Sequence, residues 1–261
     1  MTGQRLWLPM LVVAATVYAQ RMPQDNWYLA GEIRGGIEAG YLNHPMGVDI
    51  GPDGYVYVAD RDNHRIQVFD TAGNVIRCWG DYGSEVLELN YPQGLAVGSD
   101  GKVYVTEYGT HRIHVFDADG KTTRVVGGTA TGTEPGEFNQ PTGIDVDSSG
   151  NIFVADGANH RIQVFDSSGT FVREWGSNGT GDGQFVWPWD VRIGPDGNVY
   201  VADKDNHRIQ VFGADGTFLR KWGTSGSGDG QLSQPTRIAF DDSGNVYVTG
   251  KSFGSETGDD Y

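Results

Sequence analysis

The sequence predicts an all-β fold built from repeated four-stranded units, and three observations support this. Short runs of β-branched and aromatic residues alternate with turn residues, and the 261-residue chain contains 40 glycines and 10 prolines. The same pattern of runs returns at a nearly constant spacing. The repeated pattern needs no helix. Together these features indicate short strands joined by tight turns.

The spacing is clearest at one proline in each copy. These prolines lie 47, 49, 47 and 47 residues apart, at Pro45, Pro92, Pro141, Pro188 and Pro235. A period this constant indicates one supersecondary unit that is copied along the chain.

Each copy contains four apolar runs in the same order. In the first copy they read "GVDI", "YVYVAD", "HRIQVFD" and "VIRCWG", and "GPDG" and "TAGN" separate them as turns. Asp-Gly and Ser-Gly pairs supply the positive φ that tight hairpins need. A four-stranded antiparallel unit repeated every 40 to 50 residues is typical of blades arranged around a channel. The fold class predicted is therefore a β-propeller.

The repeated residues also resemble a known family. The pattern "P-x-G…D-x-x-G-x-[VI]-[YF]-V-A-D…N-H-R-I-Q-V-F…G-x-[FV]-[LVI]-R-x-W-G" is similar to the NHL repeat. The resemblance implies a propeller, usually six-bladed, that serves mostly as a binding platform. Four full repeats and one partial repeat are found, at 45–80, 92–127, 141–176, 188–223 and 235–250. We expect about five blades, with a truncated six-bladed ring as the alternative, and edge pairing with another chain if the ring is incomplete.

The N-terminal segment has the features of a secretory signal peptide. Arg5 precedes the uncharged apolar run Leu6–Ala19, which is short for a membrane span. Small residues at 17 and 19 fit cleavage before Gln20. We expect a signal peptide at 1–19, the propeller at 20–250 and a flexible tail at 251–261. The expected location is secreted or periplasmic.

Charge and cysteine content exclude several function classes. The net charge of −15 is spread without a basic block, so nucleic acid and anionic lipid are poor partners. No membrane span is expected. The single cysteine excludes an intramolecular disulfide and a thiolate-rich zinc module.

The histidine and arginine of the "HRIQVF" run are predicted to be structural. An acid precedes each arginine by five residues, and an arginine bound to a carboxylate would join the second strand to the third. Rotation about the channel would keep the four histidines apart, so they are not expected to bind one metal ion. The structural set comprises Asp60, His64, Arg65, Glu107, His111, Arg112, Asp156, His160, Arg161, Asp203, His207 and Arg208.

Positions that break the repeat are the better candidates for a ligand site, and they concentrate on the first strand of each copy. Alternation places several charged residues on the side that faces the channel. Paired tryptophans beside Asp and Arg suit a carbohydrate, a peptide or another small molecule. The alternative is that the charges neutralise one another and the tryptophans cover a blade junction. The candidate ligand-binding set comprises Asp49, Asp145, Trp187, Trp189, Asp190, Arg192 and Arg237.

The sequence favours a non-catalytic scaffold that binds a protein, peptide or small molecule at one mouth of the channel. No catalytic residues and no cofactor are predicted. The alternative is an enzyme, because NHL propellers resemble metal-dependent lyases and, more loosely, lactonases. Such an enzyme would hold a central Ca or Zn ion, for which only Asp49, Asp145 and Asp190 are candidate ligands on the first strands.

Overall fold

A computed structural model describes residues 39–128 and 130–251. This part of the chain forms eighteen strands, which we number β1 to β18. Their bounds are β1 Pro45–Ile50, β2 Val56–Asp60, β3 Arg65–Phe69, β4 Val75–Trp79, β5 Pro92–Val97, β6 Val103–Glu107, β7 Arg112–Phe116, β8 Thr122–Gly127, β9 Pro141–Val146, β10 Ile152–Asp156, β11 Arg161–Phe165, β12 Phe171–Trp175, β13 Pro188–Ile193, β14 Val199–Asp203, β15 Arg208–Phe212, β16 Phe218–Trp222, β17 Pro235–Phe240 and β18 Val246–Gly250.

The strands form five antiparallel sheets, each made from consecutive strands. Blades 1 to 4 are the four-stranded sheets β1–β4, β5–β8, β9–β12 and β13–β16, and blade 5 is the two-stranded sheet β17–β18. The predicted β-propeller of about five blades is confirmed. One expectation needs correction, because the turn between the second and third strands of blades 1, 3 and 4 is a short 3-10 helix. These turns are Arg61–Asn63, Gly157–Asn159 and Lys204–Asn206.

The hydrophobic core lies between successive blades. One face of blade 1, with Tyr57 and Ile66, packs against Leu95 and Phe116 of blade 2. Equivalent clusters join blade 2 to blade 3, blade 3 to blade 4, and blade 4 to blade 5. Alternation along each strand supplies both faces, which explains why the repeated runs are apolar at almost every position. Burial of one aromatic or aliphatic side chain contributes about 1.5–3 kcal/mol.

The first strand of each blade is the innermost, and glycine lets neighbouring first strands approach closely. A Cβ atom at Gly47 would lie 2.6 Å from the backbone nitrogen of Leu95 in blade 2. A Cβ atom at Gly143 would lie 2.6 Å from the Cα atom of Asp190 in blade 4. Glycine at this position in blades 1 to 3 is therefore required by the packing of neighbouring first strands, whereas blades 4 and 5 have Asp190 and Arg237 there.

The first and last blades each have one face that no other described blade covers. Val48 of blade 1 is partly exposed, whereas its counterparts Leu95 and Ile144 are buried. Tyr247 of blade 5 is 52% exposed, whereas its counterpart Tyr200 is buried. These faces and the outer edge of β18 are the places where the described propeller is incomplete.

The predicted signal peptide at 1–19 lies outside the described residues, as does the predicted tail apart from Lys251. Within residues 39–128 and 130–251, no helix has the length and apolar character needed to cross a membrane.

Candidate functional site

The acid of each hairpin is the centre of a buried hydrogen-bond network. In blade 4 the carboxylate of Asp203 accepts hydrogen bonds from the backbone N–H of Val186 (2.8 Å), Asn206 Nδ2 (2.9 Å), Arg208 Nε (2.7 Å) and Gln210 Nε2 (3.0 Å). Asp203 is fully buried and Arg208 is 6% exposed. Burial alone raises the pKa of Asp203, and the hydrogen bonds and the arginine oppose that rise.

Blades 1 and 3 repeat this arrangement. The nitrogen–oxygen distances are 2.7 Å for Arg65 to Asp60 and 2.8 Å for Arg161 to Asp156. Blade 2 uses a different set, in which Glu107 accepts hydrogen bonds from Arg112 (2.6 Å) and Thr110 (2.8 Å) and contacts His114 Nδ1 (3.0 Å). All four predicted acid–arginine pairs thus meet within their own blades.

The four hairpin histidines occupy one repeated conformation. His64, His111, His160 and His207 have φ of 54°, 57°, 56° and 54°, in the left-handed region. The Nδ1 atom of each accepts a hydrogen bond from the backbone N–H of the residue before the next blade's proline. Those residues are Tyr91, Gln140, Trp187 and Gln234, and they too have positive φ. Each histidine therefore joins two strained backbone positions, whose cost is of order 1–3 kcal/mol each.

Because Nδ1 accepts this bond, the neutral histidine carries its proton on Nε2. Burial is the main cause that lowers the pKa of His64 and of His111. Within residues 39–128 and 130–251, no three His, Cys, Asp or Glu side chains are grouped to hold a metal ion. The predicted absence of a cofactor stays a prediction.

The candidate carboxylates of the channel lie at the blade junctions. The side chain of Asp49 accepts a hydrogen bond from the backbone N–H of Val97 in blade 2 (2.8 Å), and that of Asp145 accepts one from Ile193 in blade 4 (2.7 Å). Asp190 does the same with Ile238 of blade 5 (2.9 Å). Each of the three carboxylates therefore ties one first strand to the next.

The two candidate arginines lie among these carboxylates. Arg192 is 4.0 Å from Asp145 and 3.7 Å from Asp190. Arg237 is 3.8 Å from Asp190, and its Nη2 donates to the carbonyl oxygens of Met46 in blade 1 (2.8 Å) and Gln93 in blade 2 (3.2 Å). The guanidinium of Arg237 thus reaches from blade 5 to blades 1 and 2. The predicted mixed-charge group is brought together in the channel, and blade-to-blade contacts occupy much of its bonding capacity.

Burial perturbs the charges of this group. Desolvation raises the pKa of Asp145 to about 6, although Arg192 and the Ile193 N–H oppose that shift. Desolvation also raises the pKa of Asp49. Burial opposes the charged form of Arg192, but Asp190 and Asp145 outweigh it and raise the arginine's pKa. The carboxyl of Asp145 therefore keeps its proton to a higher pH than an exposed aspartate does.

The two candidate tryptophans lie at the proline end of β13, on the same side of the ring as the 3-10 turns. The backbone N–H of Trp187 donates to His160, and the two rings are 6.5 Å apart. The ammonium of Lys204 lies 4.1 Å from the centre of the Trp189 ring, within the range of a cation–π contact. Blade 2 places Gln93, 1% exposed, at the position equivalent to Trp189.

Several donors in this region have no hydrogen-bond acceptor among the described residues. They are Gln93 Nε2, Trp187 Nε1, Trp189 Nε1 and Arg192 Nε, and all four atoms are buried. Arg192 Nε differs from the other three because it lies 3.7 Å from the Asp190 carboxylate, nearer the other end of β13. Four more such donors lie in β4 and β12, at Arg77, Trp79, Arg173 and Trp175, where the repeat places the same residue types twice. The first four differ because they occupy positions that break the repeat. We call Gln93, Trp187, Trp189 and Lys204 the mouth cluster.

Two members of this environment were missed by sequence reasoning. Lys204 and Arg61 begin equivalent 3-10 turns, and Arg61 donates to the Oε1 atom of Gln93 (3.0 Å). Blade 3 has Gly157 at the same place. A search for repeat-breaking positions in the hairpin turns, and not only in the first strands, would have found both.

Comparison with sequence families agrees with the fold. The "NHL repeat" matches at residues 42–69, 89–116, 138–165 and 185–212, and a "Beta-propeller repeat" matches at 226–255. Comparison with curated protein sequences gives no match.

Solved structures with a similar fold include a streptogramin B lyase, with a TM-score of 0.60 and 19% identity over 78% of this chain and 61% of that one. A virginiamycin B lyase from Staphylococcus aureus gives a TM-score of 0.60 and 18% identity, over 78% of this chain and 62% of that one. A nidogen/laminin complex gives 0.59 and 19%, over 79% and 72%. The chain thus spans about three fifths of the length of the two lyases. At these identities the likeness concerns the fold alone.

The repeat matches cover the first three strands of each four-stranded blade. The order of strands within the sheets and the solved structures with the same architecture agree with them. The chain therefore belongs to the NHL-repeat β-propeller proteins.

Proposed function

We propose that the protein is a non-catalytic binding scaffold that holds a partner at the proline end of its channel. The partner is a protein, peptide or small molecule that presents hydrogen-bond acceptors, such as carboxylate or sugar oxygens, beside a flat apolar surface. The mouth cluster is the binding site in this proposal.

The buried donors without acceptors are the observation that carries the proposal. A buried N–H without an acceptor costs about 1–3 kcal/mol, so native proteins seldom keep several together. Gln93 and Trp189 belong to first strands, and Arg237 links the Gln93 carbonyl to Asp190 across the channel. A bound ligand with acceptor oxygens would satisfy these donors.

Aromatic and cationic groups support the same ligand chemistry. The Trp189 ring lies against Lys204, and the Arg61 guanidinium lies 4.8 Å from the centre of the Tyr91 ring. An indole offers a flat face for stacking and one N–H donor, which suits amphipathic ligands. The net charge of −15 would repel a uniformly acidic partner, so the acceptor groups must be local to the contact.

The contacts of the ionisable groups support a binding role over a catalytic one. The channel carboxylates accept backbone N–H bonds of the next blade, and the hairpin histidines accept such bonds through Nδ1. These bonds give the ionisable groups a structural role in the junctions between blades.

A ligand screen with matched tryptophan variants tests the proposal. Thermal-shift measurements on the full chain with acidic peptides, uronic acids and aromatic carboxylates should identify a stabilising compound through linkage. Trp189→Phe keeps an aromatic ring and removes the N–H, so the affinity should fall by about fivefold to tenfold.

The matched control is Trp175→Phe, which removes an equally unpaired N–H from β12 outside the channel. This control should leave the affinity unchanged. Equal losses in the two variants, or a complete panel without a stabilising ligand, would refute the proposed site.

A further inference from the structure

Non-glycine residues with positive φ occupy only two positions of the repeat in residues 39–128 and 130–251. One position belongs to the hairpin histidines, and the other to the residue before the proline that begins each first strand. The second set, which we call the pre-proline residues, has φ between 40° and 58° and comprises His44, Tyr91, Gln140, Trp187 and Gln234. Every other residue with positive φ in these ranges is a glycine.

Glycine would be the least strained residue at a pre-proline position. It adopts positive φ without a steric penalty, and the residue before a proline is further restricted towards extended conformations. The repeat has glycine at its other positions of positive φ, as at Gly54, Gly73 and Gly80 of blade 1. None of the five copies has glycine before the proline. A side chain is therefore present at this position although it strains the backbone.

The two strained positions differ in how constant they are. The histidine is the same in blades 1 to 4 because its Nδ1 atom accepts the N–H of the pre-proline residue in the next blade. The pre-proline residue is a histidine, tyrosine, glutamine or tryptophan, and in no copy is it fully buried. A packing role shared by the blades would keep one residue type. The fold therefore explains the backbone of this position but not its side chains.

The pre-proline residues lie beside the proposed binding site. Each precedes the first, innermost strand of its blade, at the proline end of the channel. Trp187 belongs to the mouth cluster. The ring of Tyr91 lies 4.8 Å from the guanidinium of Arg61, which in turn donates to Gln93 of that cluster. The variable side chains are thus placed where a ligand of the mouth cluster would contact them.

We propose that the pre-proline residues determine the specificity of the mouth for an extended peptide, an inference that rests on the proposed function. Five blades each contribute one of these side chains, so a ligand that contacts several of them extends across the channel. The amides of Gln140 and Gln234 each offer a donor and an acceptor, which match those of a peptide group. Tyr91 and Trp187 offer aromatic faces for the side chains of the peptide.

Glycine substitutions separate a role in specificity from a role in stability. The side chain of Gln140 makes no hydrogen bond within residues 39–128 and 130–251, so Gln140→Gly relieves strain without breaking one. This variant should raise the Tm by about 2 °C. His111→Gly is the matched control, because His111 has a φ of 57° and accepts the Gln140 N–H. It should lower the Tm, since that hydrogen bond is lost.

A peptide library tests the specificity itself. The wild-type protein should enrich a family of related sequences from a phage-displayed library of random heptapeptides. Trp187→Gln should bind the synthetic consensus peptide at least about tenfold more weakly in a fluorescence anisotropy titration, because the aromatic contact is lost. Glutamine already occupies two pre-proline positions, so the backbone accepts it. Val172→Gln, on the exposed outer strand β12, is the control and should leave the affinity unchanged.

Three results would overturn the inference. The first is a lower Tm for Gln140→Gly than for the wild type, which would show that this side chain stabilises the fold. The second is equal binding of the consensus peptide by the wild type and Trp187→Gln. The third is a wild-type protein that enriches no peptide. In the third case the thermal-shift screen still decides on the proposed function, because it also contains uronic acids and aromatic carboxylates.

Discussion

The hairpins of blade 4 and blade 2 hold an equivalent arginine with different side chains. Blade 4 uses Asp203 with Asn206 and Gln210, whereas blade 2 uses Glu107 with Thr110 and His114 at the same positions. Both acids also accept a backbone N–H from the preceding link, from Val186 in blade 4 and from Asn90 in blade 2 (2.9 Å).

The difference shows that the fold requires the hydrogen-bond network and not one particular residue. Glutamate is one methylene longer than aspartate, and threonine is shorter than asparagine, so the carboxylate still meets its donors. Blade 2 also extends the network, because His114 Nε2 lies 2.9 Å from the hydroxyl of Thr122. The pKa values differ accordingly. Desolvation raises that of Asp203, whereas His114 and Arg112 outweigh desolvation and lower that of Glu107.

The largest expected effect comes from removing the carboxylate from one of the aspartate hairpins. Asp156→Ala removes the fully buried carboxylate that accepts hydrogen bonds from Arg161, Gln163 and Asn159, and leaves the buried Arg161 with only the half-buried Glu174 as a carboxylate partner. We expect the free energy of unfolding to fall by about 3–5 kcal/mol in urea denaturation at pH 7.

Asp242→Ala is the control, because Asp242 is exposed in a turn and should change stability by less than about 0.5 kcal/mol. If Asp156→Ala lowers the free energy of unfolding by less than about 1 kcal/mol, the ion pair is not needed for stability. The hairpins of blades 2 and 4 would then be equivalent only in shape.

A smaller effect, and one that depends on pH, is expected at the channel. The pKa of Asp145 in the folded protein is about 6, above its value of 3.8 in the unfolded chain. The folded state therefore binds more protons between these pH values, and this group's contribution to stability is lost as pH rises from about 4 to 6.

Asp145→Asn removes this titration. The stability of the variant relative to the wild type should rise by about 2–3 kcal/mol between pH 4 and pH 7, in unfolding curves measured at each pH. The Asn side chain keeps one acceptor for the Ile193 N–H. Any loss of stability that does not change with pH therefore comes from the substitution itself and not from the titration of Asp145. A pH-independent difference would show that Asp145 is ionised throughout this range.

The smallest effect tests the comparison of blades 2 and 4 directly. Glu107→Asp shortens the acid and should cost about 1–2 kcal/mol, because its bonds to His114 and Thr110 lengthen. Adding Thr110→Asn and His114→Gln recreates the blade 4 set and should restore more than half of this loss in the same urea assay. If the losses of stability caused by the three substitutions are additive, the hydrogen-bond network of blade 4 does not form in blade 2.

The sequence predicted the fold well because local signals repeat. The period of 47 to 49 residues, the Asp-Gly or Ser-Gly turns and the alternating runs each recur in every blade, so the strands of blades 1 to 4 fall where the pattern places them. The five-residue spacing of acid and arginine also placed each hairpin pair correctly, since its two members face each other across one turn.

The channel was harder to predict because its contacts join distant parts of the chain. Alternation put Arg237 on the channel side, but its bonds to Met46 and Gln93 depend on how blade 5 is placed relative to blades 1 and 2. The contact of Lys204 with Trp189 depends on the path of the 3-10 turn, which the sequence pattern did not reveal. The signal peptide at 1–19 and the extracytoplasmic location stay predictions.

The bond of Arg237 to blade 1 has a consequence for how the ring opens. Arrays of repeats without such a bond fray from their ends, since each unit contacts only its neighbours. Here one guanidinium joins the fifth repeat to the first, 191 residues away, and to the second. Opening of either terminal unit removes a restraint on the other, so amide protons near Met46 and near Ile238 should exchange with solvent as one cooperative group.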